Sequence, residues 1–168
     1  MLERTEMMPR IGFGYDSHRF EDAVGKPLVL GGVTFPGERG LKAHSDGDVV
    51  IHAVIDAVLG ATALGNVGQH FPDTDERYRG ANSRELLAET MTELAAAGWR
   101  LGNLDVTVIC ERPRLAAKID EMRCALANAL RVDVSRVSVK GKTNERMDDV
   151  GAGLGIEVHA VALVVEGK

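Results

Sequence analysis

Cysteine is scarce. The chain of 168 residues holds two, Cys110 and Cys124, and they form no C-x-x-C pair. A disulfide framework is excluded, and both read as reduced core thiols of a cytoplasmic protein. Long apolar runs are absent as well: no stretch of about 18 apolar residues occurs, so nothing is expected to span a membrane. The segment Met1 to Arg10 is charged and lacks the apolar stretch of a secretory leader. Basic residues are in the minority, 20 Lys and Arg against 25 Asp and Glu, for a net charge of −5. That argues against a general nucleic-acid or membrane surface. An anionic substrate would need local help from Lys, Arg or a metal. Repeats, low-complexity tracts and linkers are also missing, so residues 1–168 read as one domain, long enough to bury a sizeable core.

What is present is concentrated in Ala43 to His52, which places two His and two Asp at the start of an apolar segment. Ser45 and Asp48 have the spacing of a helix-start capping box. Ile51, Val54, Ile55, Val58 and Leu59 then recur at helical spacing. Asp48 and His52 share one side of that helix, and His44 lies just before its N-terminus, where N–H groups favour anions. The stretch reads either as a cap with a satisfied core histidine or as a place for a metal and a phosphate together.

Upstream, Arg10 to Tyr15 alternates as a strand and runs into Asp16-Ser17-His18. Residues two apart on a strand share a face, so Asp16 and His18 project together, a weak half-signal for a metal site. Pro27 to Phe35 reads as two short strands broken at Gly31-Gly32, a hairpin or a bulge. After the first helix, the polar stretch from Gly65 to Asp75 reads as a loop, either a turn with Asx caps or one that grips hydroxyls or a hydrated cation. Ser83 reads as the N-cap of a second helix ending before Gly98. Leu104 to Cys110 alternates as a strand, Leu115 to Leu130 reads as a third helix, and Val137 and Val139 mark another strand. Met147 to Gly155 is a Gly-rich loop. Ile156 to Val165 is apolar on both faces, as a central or interface strand requires. The class is α+β: one mixed sheet with three helices mainly on one face. Its other face is left uncovered and apolar, which suggests an oligomer.

Five motifs stand in order: G-x-G-x-D-x-H-x-F at 12–20, A-H-S-D-G-D-x-x-x-H at 43–52, L-G-x-x-G-x-x-F-P-D-T-D at 64–75, E-R-P-R-L at 111–115 and K-x-K-T-N-E at 140–145. In this order and spacing, over nearly the whole chain, they resemble the 2-C-methyl-D-erythritol 2,4-cyclodiphosphate synthases of the non-mevalonate isoprenoid pathway. The resemblance implies a phosphorus–oxygen lyase acting on 4-diphosphocytidyl-2-C-methyl-D-erythritol 2-phosphate. It implies zinc ligands at Asp16, His18 and His52, phosphate contacts at His44 and Ser45, and a supporting Asp48 that holds the site's geometry. Asn66, Val67, Gly68, Phe71, Pro72, Asp73, Thr74 and Asp75 correspond to residues holding the erythritol end, and Asp16, Ser17 and His18 are also implied to contact the substrate. Cys110, Glu111, Arg112, Pro113, Arg114, Leu115 and Ala116, with Lys142, Thr143, Asn144 and Glu145, correspond to those holding the cytidine diphosphate. Glu145 matches the ligand of a second cation, Mg²⁺ or Mn²⁺, and His44 and Thr143 are the implied catalytic pair. The implied assembly is a homotrimer with active sites between subunits.

The chain departs from the family pattern in three places. Asn66 replaces the usual Asp. Lys142-Thr143-Asn144-Glu145 replaces the commoner T-T-T-E. In the Gly-rich loop Asp149, Ala152 and Leu154 replace an aromatic, an Arg and a Glu that line a cavity on the trimer axis. The expectation is that this cavity does not take an isoprenoid diphosphate. Two other functions compete with the cyclising lyase: a zinc-dependent nucleotide diphosphate hydrolase, and an inactive, metal-stabilised trimeric binding protein. An extra base for an attacking water is not evident, and the ligand set is intact.

Overall fold

A computed structural model describes residues 8–22 and 25–167; residues 1–7 of the charged N-terminal segment lie outside the described residues. Strand β1 is Arg10–Arg19, β4 Trp99–Ile109, β5 Val137–Lys142 and β6 Gly155–Glu166. A hairpin of β2 (Leu28–Leu30) and β3 (Val33–Phe35) stands apart from them. The helices are α1 (Val49–Thr62), α2 (Val67–His70), α3 (Ser83–Ala96) and α4 (Ile119–Leu130).

The main sheet has the order β1-β6-β4-β5, with only the β4–β5 pair parallel. Strand β6 is central, as its apolar pattern requires. Its Ile156, Val158, Ala160, Ala162 and Val164 are fully buried under the helices. The opposite face stays open, with Ile11 at 69%, Phe13 at 61% and Tyr15 at 45% exposed. Alternation along β1 sends Gly12 and Gly14 to the helix side and Ile11, Phe13 and Tyr15 to the open side. A Cβ on Gly12 or Gly14 would collide with the carbonyl oxygens of Ala57 and Ala53 in α1, so these glycines let helix and strand touch.

Helix α1 begins three residues later than the Ser45 capping box places it. Its N-cap is Asp48, whose side chain accepts from the N–H groups of Val50 and Ile51. The same carboxylate accepts from Gly31 at 2.8 Å and Gly32 at 2.6 Å, tying the β2–β3 turn to the helix start. Burial pushes the Asp48 carboxyl up to about 6, against the pull of those N–H donors. The Ser45 hydroxyl accepts instead from the Gly47 N–H and meets His52. Helix α3 is likewise capped by Asn82, one residue before Ser83, whose hydroxyl turns inward. Helix α4 starts at Ile119 after a 3₁₀ turn over Ala116–Lys118. Only Cys110 is a core thiol. Cys124 is exposed on the outer side of α4, whose inner side is Met122, Leu126 and Leu130. Among the described residues no helix is long and apolar enough to cross a membrane.

Candidate active site

Strand β1 carries its helix-side face past Gly12 and Gly14 to Asp16 and His18, and the first turn of α1 presents His52 to them. Asp16 Oδ2 lies 3.0 Å from His18 Nε2 and 3.0 Å from His52 Nδ1. One donor atom from each residue falls within 4.8 Å of the others. The second ring nitrogens are anchored: His18 Nδ1 faces the Lys42 carbonyl at 2.9 Å, and His52 Nε2 faces the Ser83 hydroxyl at 3.1 Å. A carbonyl only accepts, so His18 Nδ1 donates there, and Nε2, facing the Asp16 carboxylate, is the nitrogen that would give its lone pair to a cation. Burial raises the Asp16 carboxyl, but hydrogen bonds and charge from His18 and His52 outweigh it and hold the group down to about 2. Burial lowers His18, but the Asp16 hydrogen bond and charge hold it above its usual value. One carboxylate and two imidazoles, with outer nitrogens already bonded, fit a divalent cation and leave a coordination position open to the cleft.

That cleft, of about 450 Å³, takes in His44, Ser45, Val67, Gly68, Phe71 and Asp73 beside the three donors. His44 Nε2 is buried there without a hydrogen-bond partner among the described residues. Lys26 Nζ holds the loop from behind, donating to the Ser45 carbonyl at 2.6 Å and the Ala43 carbonyl at 3.3 Å. Ala43, which opens the 43–52 motif, also lines the cleft, as do Tyr78 and Leu86, which have no signal in the sequence. Tyr78 comes close through its edge-on contact with Phe71, ring centroids 5.4 Å apart.

A second cleft, of about 520 Å³, lies where β4 and β5 end beside the start of α4. It brings together Cys110, Glu111, Pro113, Arg114, Leu115 and Ala116 with Lys142, Thr143 and Glu145, and adds Ile119 and Gly141. The Thr143 hydroxyl donates to Glu145 Oε1 at 3.2 Å. Burial, with the charges of Glu111 and Glu38, pushes the Cys110 thiol up to about 12, so it acts as an inert wall.

Among the described residues none lines both clefts. The remaining expected residues lie outside both linings. Ser17 points to the open side of β1. Asn66 caps α2, its carbonyl accepting from the Gln69 N–H; the stretch read as loop is a short helix there. Asp75 caps a 3₁₀ turn and pairs with Arg77 at 2.6 Å. The Asn144 amide donates to Asp148 at 2.7 Å. Pro72, Thr74 and Arg112 contribute to neither lining. His70 bonds the Leu64 carbonyl and Glu93, and His159 packs against Phe13 and Tyr15, so both read as structural. In the Gly-rich loop Asp149 is paired with Arg19 at 3.6 Å, and Leu154 is exposed.

Fold and donor set define an α+β protein with a three-residue site that fits a divalent metal, set between a strand end and a helix start. The YgbB family model matches residues 9–165, and the chain belongs to that family. It is 49% identical over 159 residues to the 2-C-methyl-D-erythritol 2,4-cyclodiphosphate synthase of Brachyspira hyodysenteriae, covering 95% of this chain and 99% of that one. It also resembles the bifunctional IspDF of Campylobacter jejuni, with a TM-score of 0.91 and 36% identity over 96% of this chain and 43% of that longer one. The IspF of Plasmodium falciparum, solved in a CDP complex, matches with a TM-score of 0.85 and 30% identity over 98% of this chain and all of its own.

Proposed function

We propose that this protein converts 4-diphosphocytidyl-2-C-methyl-D-erythritol 2-phosphate to 2-C-methyl-D-erythritol 2,4-cyclodiphosphate and CMP, as a cyclising phosphorus–oxygen lyase. The observation that carries the reading is the convergence of Asp16, His18 and His52 at one end of a cleft holding His44 and Ser45. An oxygen of the substrate's 2-phosphate forms a bond to the β-phosphorus. The bond from that phosphorus to the bridging oxygen breaks, and CMP leaves with the oxygen. The nucleophile is already ionised, so no general base is needed. What remains is charge repulsion and orientation.

Asp16, His18 and His52 would hold zinc, which supplies Lewis-acid polarisation of the β-phosphate. Glu145 would hold Mg²⁺ or Mn²⁺ on the nucleotide side. His44, with its Nε2 unpartnered among the described residues, offers a hydrogen bond to charge developing on the phosphate, and the Thr143 hydroxyl, by turning its hydrogen away from Glu145, offers another from the nucleotide cleft. The residues from Cys110 to Ala116 and Lys142 to Glu145 bind the cytidine diphosphate. Those from Asn66 to Gly68 and from Phe71 to Asp75 embrace the erythritol end.

The chain is a single domain in this reading and works in the cytoplasm as a homotrimer, without nucleic-acid or membrane partners. The open sheet face with Ile11, Phe13, Tyr15 and Val161 supports a self-association surface. Two clefts that share no lining residue support a substrate bridging neighbouring subunits. Incubation with the substrate, followed by phosphorus NMR, tests the activity. A cyclic diphosphate with CMP is the expected product; linear phosphates or no turnover would overturn the reading. Light scattering tests the trimer.

A further inference from the structure

Ser83 is fully buried although it opens α3. Its hydroxyl donates to Asp46 Oδ1, and its backbone N–H donates to Asp46 Oδ2 at 2.9 Å. Asp46 is itself held, its N–H bonding the Ala81 carbonyl at 3.1 Å. A hydroxyl has one hydrogen. With that hydrogen given to a carboxylate, the Ser83 oxygen can only accept from His52 Nε2, 3.1 Å away. Nε2 must then carry a ring proton, so Nδ1, facing Asp16, is the nitrogen whose lone pair a cation seated between the two would take. Ser45 Oγ also lies 3.2 Å from Nε2, but among the described residues no carboxylate claims its hydrogen. Ser45 can therefore either donate or accept, whereas Ser83 can only accept.

We propose that Ser83, steered by Asp46, is a positioning residue that fixes which nitrogen of His52 faces the metal donors. This rests on the reading of Asp16, His18 and His52 as a metal site. It differs from the helix-cap role that the position of Ser83 in the sequence suggests. Without the Ser83 oxygen, the Ser45 hydroxyl is free to donate to Nε2, and the ring proton moves to the nitrogen that should bind the cation.

The test measures zinc affinity of the full-length protein by competition with a chromophoric chelator, and the visible spectrum of the Co²⁺-loaded protein. Ser83→Ala is expected to weaken zinc about ten- to a hundredfold and to alter the cobalt spectrum. Ser83→Thr keeps the hydroxyl and is expected to restore both. Asp46→Asn is expected to weaken zinc, and adding it to Ser83→Ala is expected to cost little more, since both changes cut one chain of bonds. Unchanged affinity in Ser83→Ala, or equal losses in the Ala and Thr variants, overturns the inference. If a Ser83 variant does not fold, Asp46→Asn decides by the same measurement, unchanged affinity again overturning it. A wild-type chain that takes up no metal overturns the metal reading and this inference with it. A wild type that binds zinc while Ser83→Ala binds it equally well overturns this inference alone.

Discussion

Gly14 of β1 lies so close to the carbonyl of Ala53 in α1 that no Cβ fits between them. Ala53 follows His52, and Gly14 precedes Asp16 by two residues on the same face of the strand. The close approach therefore sets the 3.0 Å meeting of Asp16 Oδ2 and His52 Nδ1.

Gly14→Ala is accordingly expected to destabilise the fold by about 3 kcal/mol or more, because the obstacle is helix backbone rather than a movable side chain. Gly60→Ala, whose new Cβ would meet only the Phe13 carbonyl at 3.9 Å, is expected to be neutral or to stabilise by about 0.5–1 kcal/mol. Urea unfolding of both variants checks the contrast.

His52→Ala removes one of three donors. Metal content measured on the purified protein should fall steeply and turnover should be lost, while circular dichroism shows the fold retained. Full activity with metal still bound would remove His52 from the site.

Glu145→Gln keeps the shape of the nucleotide cleft and removes its charge. Activity should drop, and the Mg²⁺ or Mn²⁺ concentration for half-maximal rate should rise. A titration curve that does not move would count against a cation at Glu145.

Asp48→Asn replaces one acceptor oxygen of the N-cap with an NH₂ group facing an N–H donor. Four N–H groups, from Gly31, Gly32, Val50 and Ile51, converge on that carboxylate, so one is left unpaired. The expected cost is about 1–3 kcal/mol, read as a lower melting temperature.

The two cysteines should separate under iodoacetamide at pH 8. Cys124 is exposed and should label in the native protein. Cys110, buried and pushed up to about 12, has almost no thiolate and should label only on unfolding. Mass spectrometry of native and urea-treated samples distinguishes them.

The sequence by itself determined the fold class, the central place of β6 and the convergence of Asp16 with His18, because alternation and helical spacing are local and repeat within one element. It also determined the family resemblance, since the five motifs are contiguous. Helix starts were harder to read. Asp48 displaces Ser45 as the cap because Gly31 and Gly32, far off in the chain, bring it two further N–H groups.

Only the tertiary structure decided what faces each side chain. Tyr78 and Leu86 reach the metal cleft because α3 and the turn before it pack beside α1. Asn66 and Asp75 are bound to the backbone of their own turns, a use no spacing distinguishes from gripping a substrate. Ser83 shows the division most plainly. Its place in the sequence is that of a helix cap, yet burial against Asp46 and His52 leaves its oxygen one role, because a hydroxyl has a single hydrogen and the fold has already assigned it.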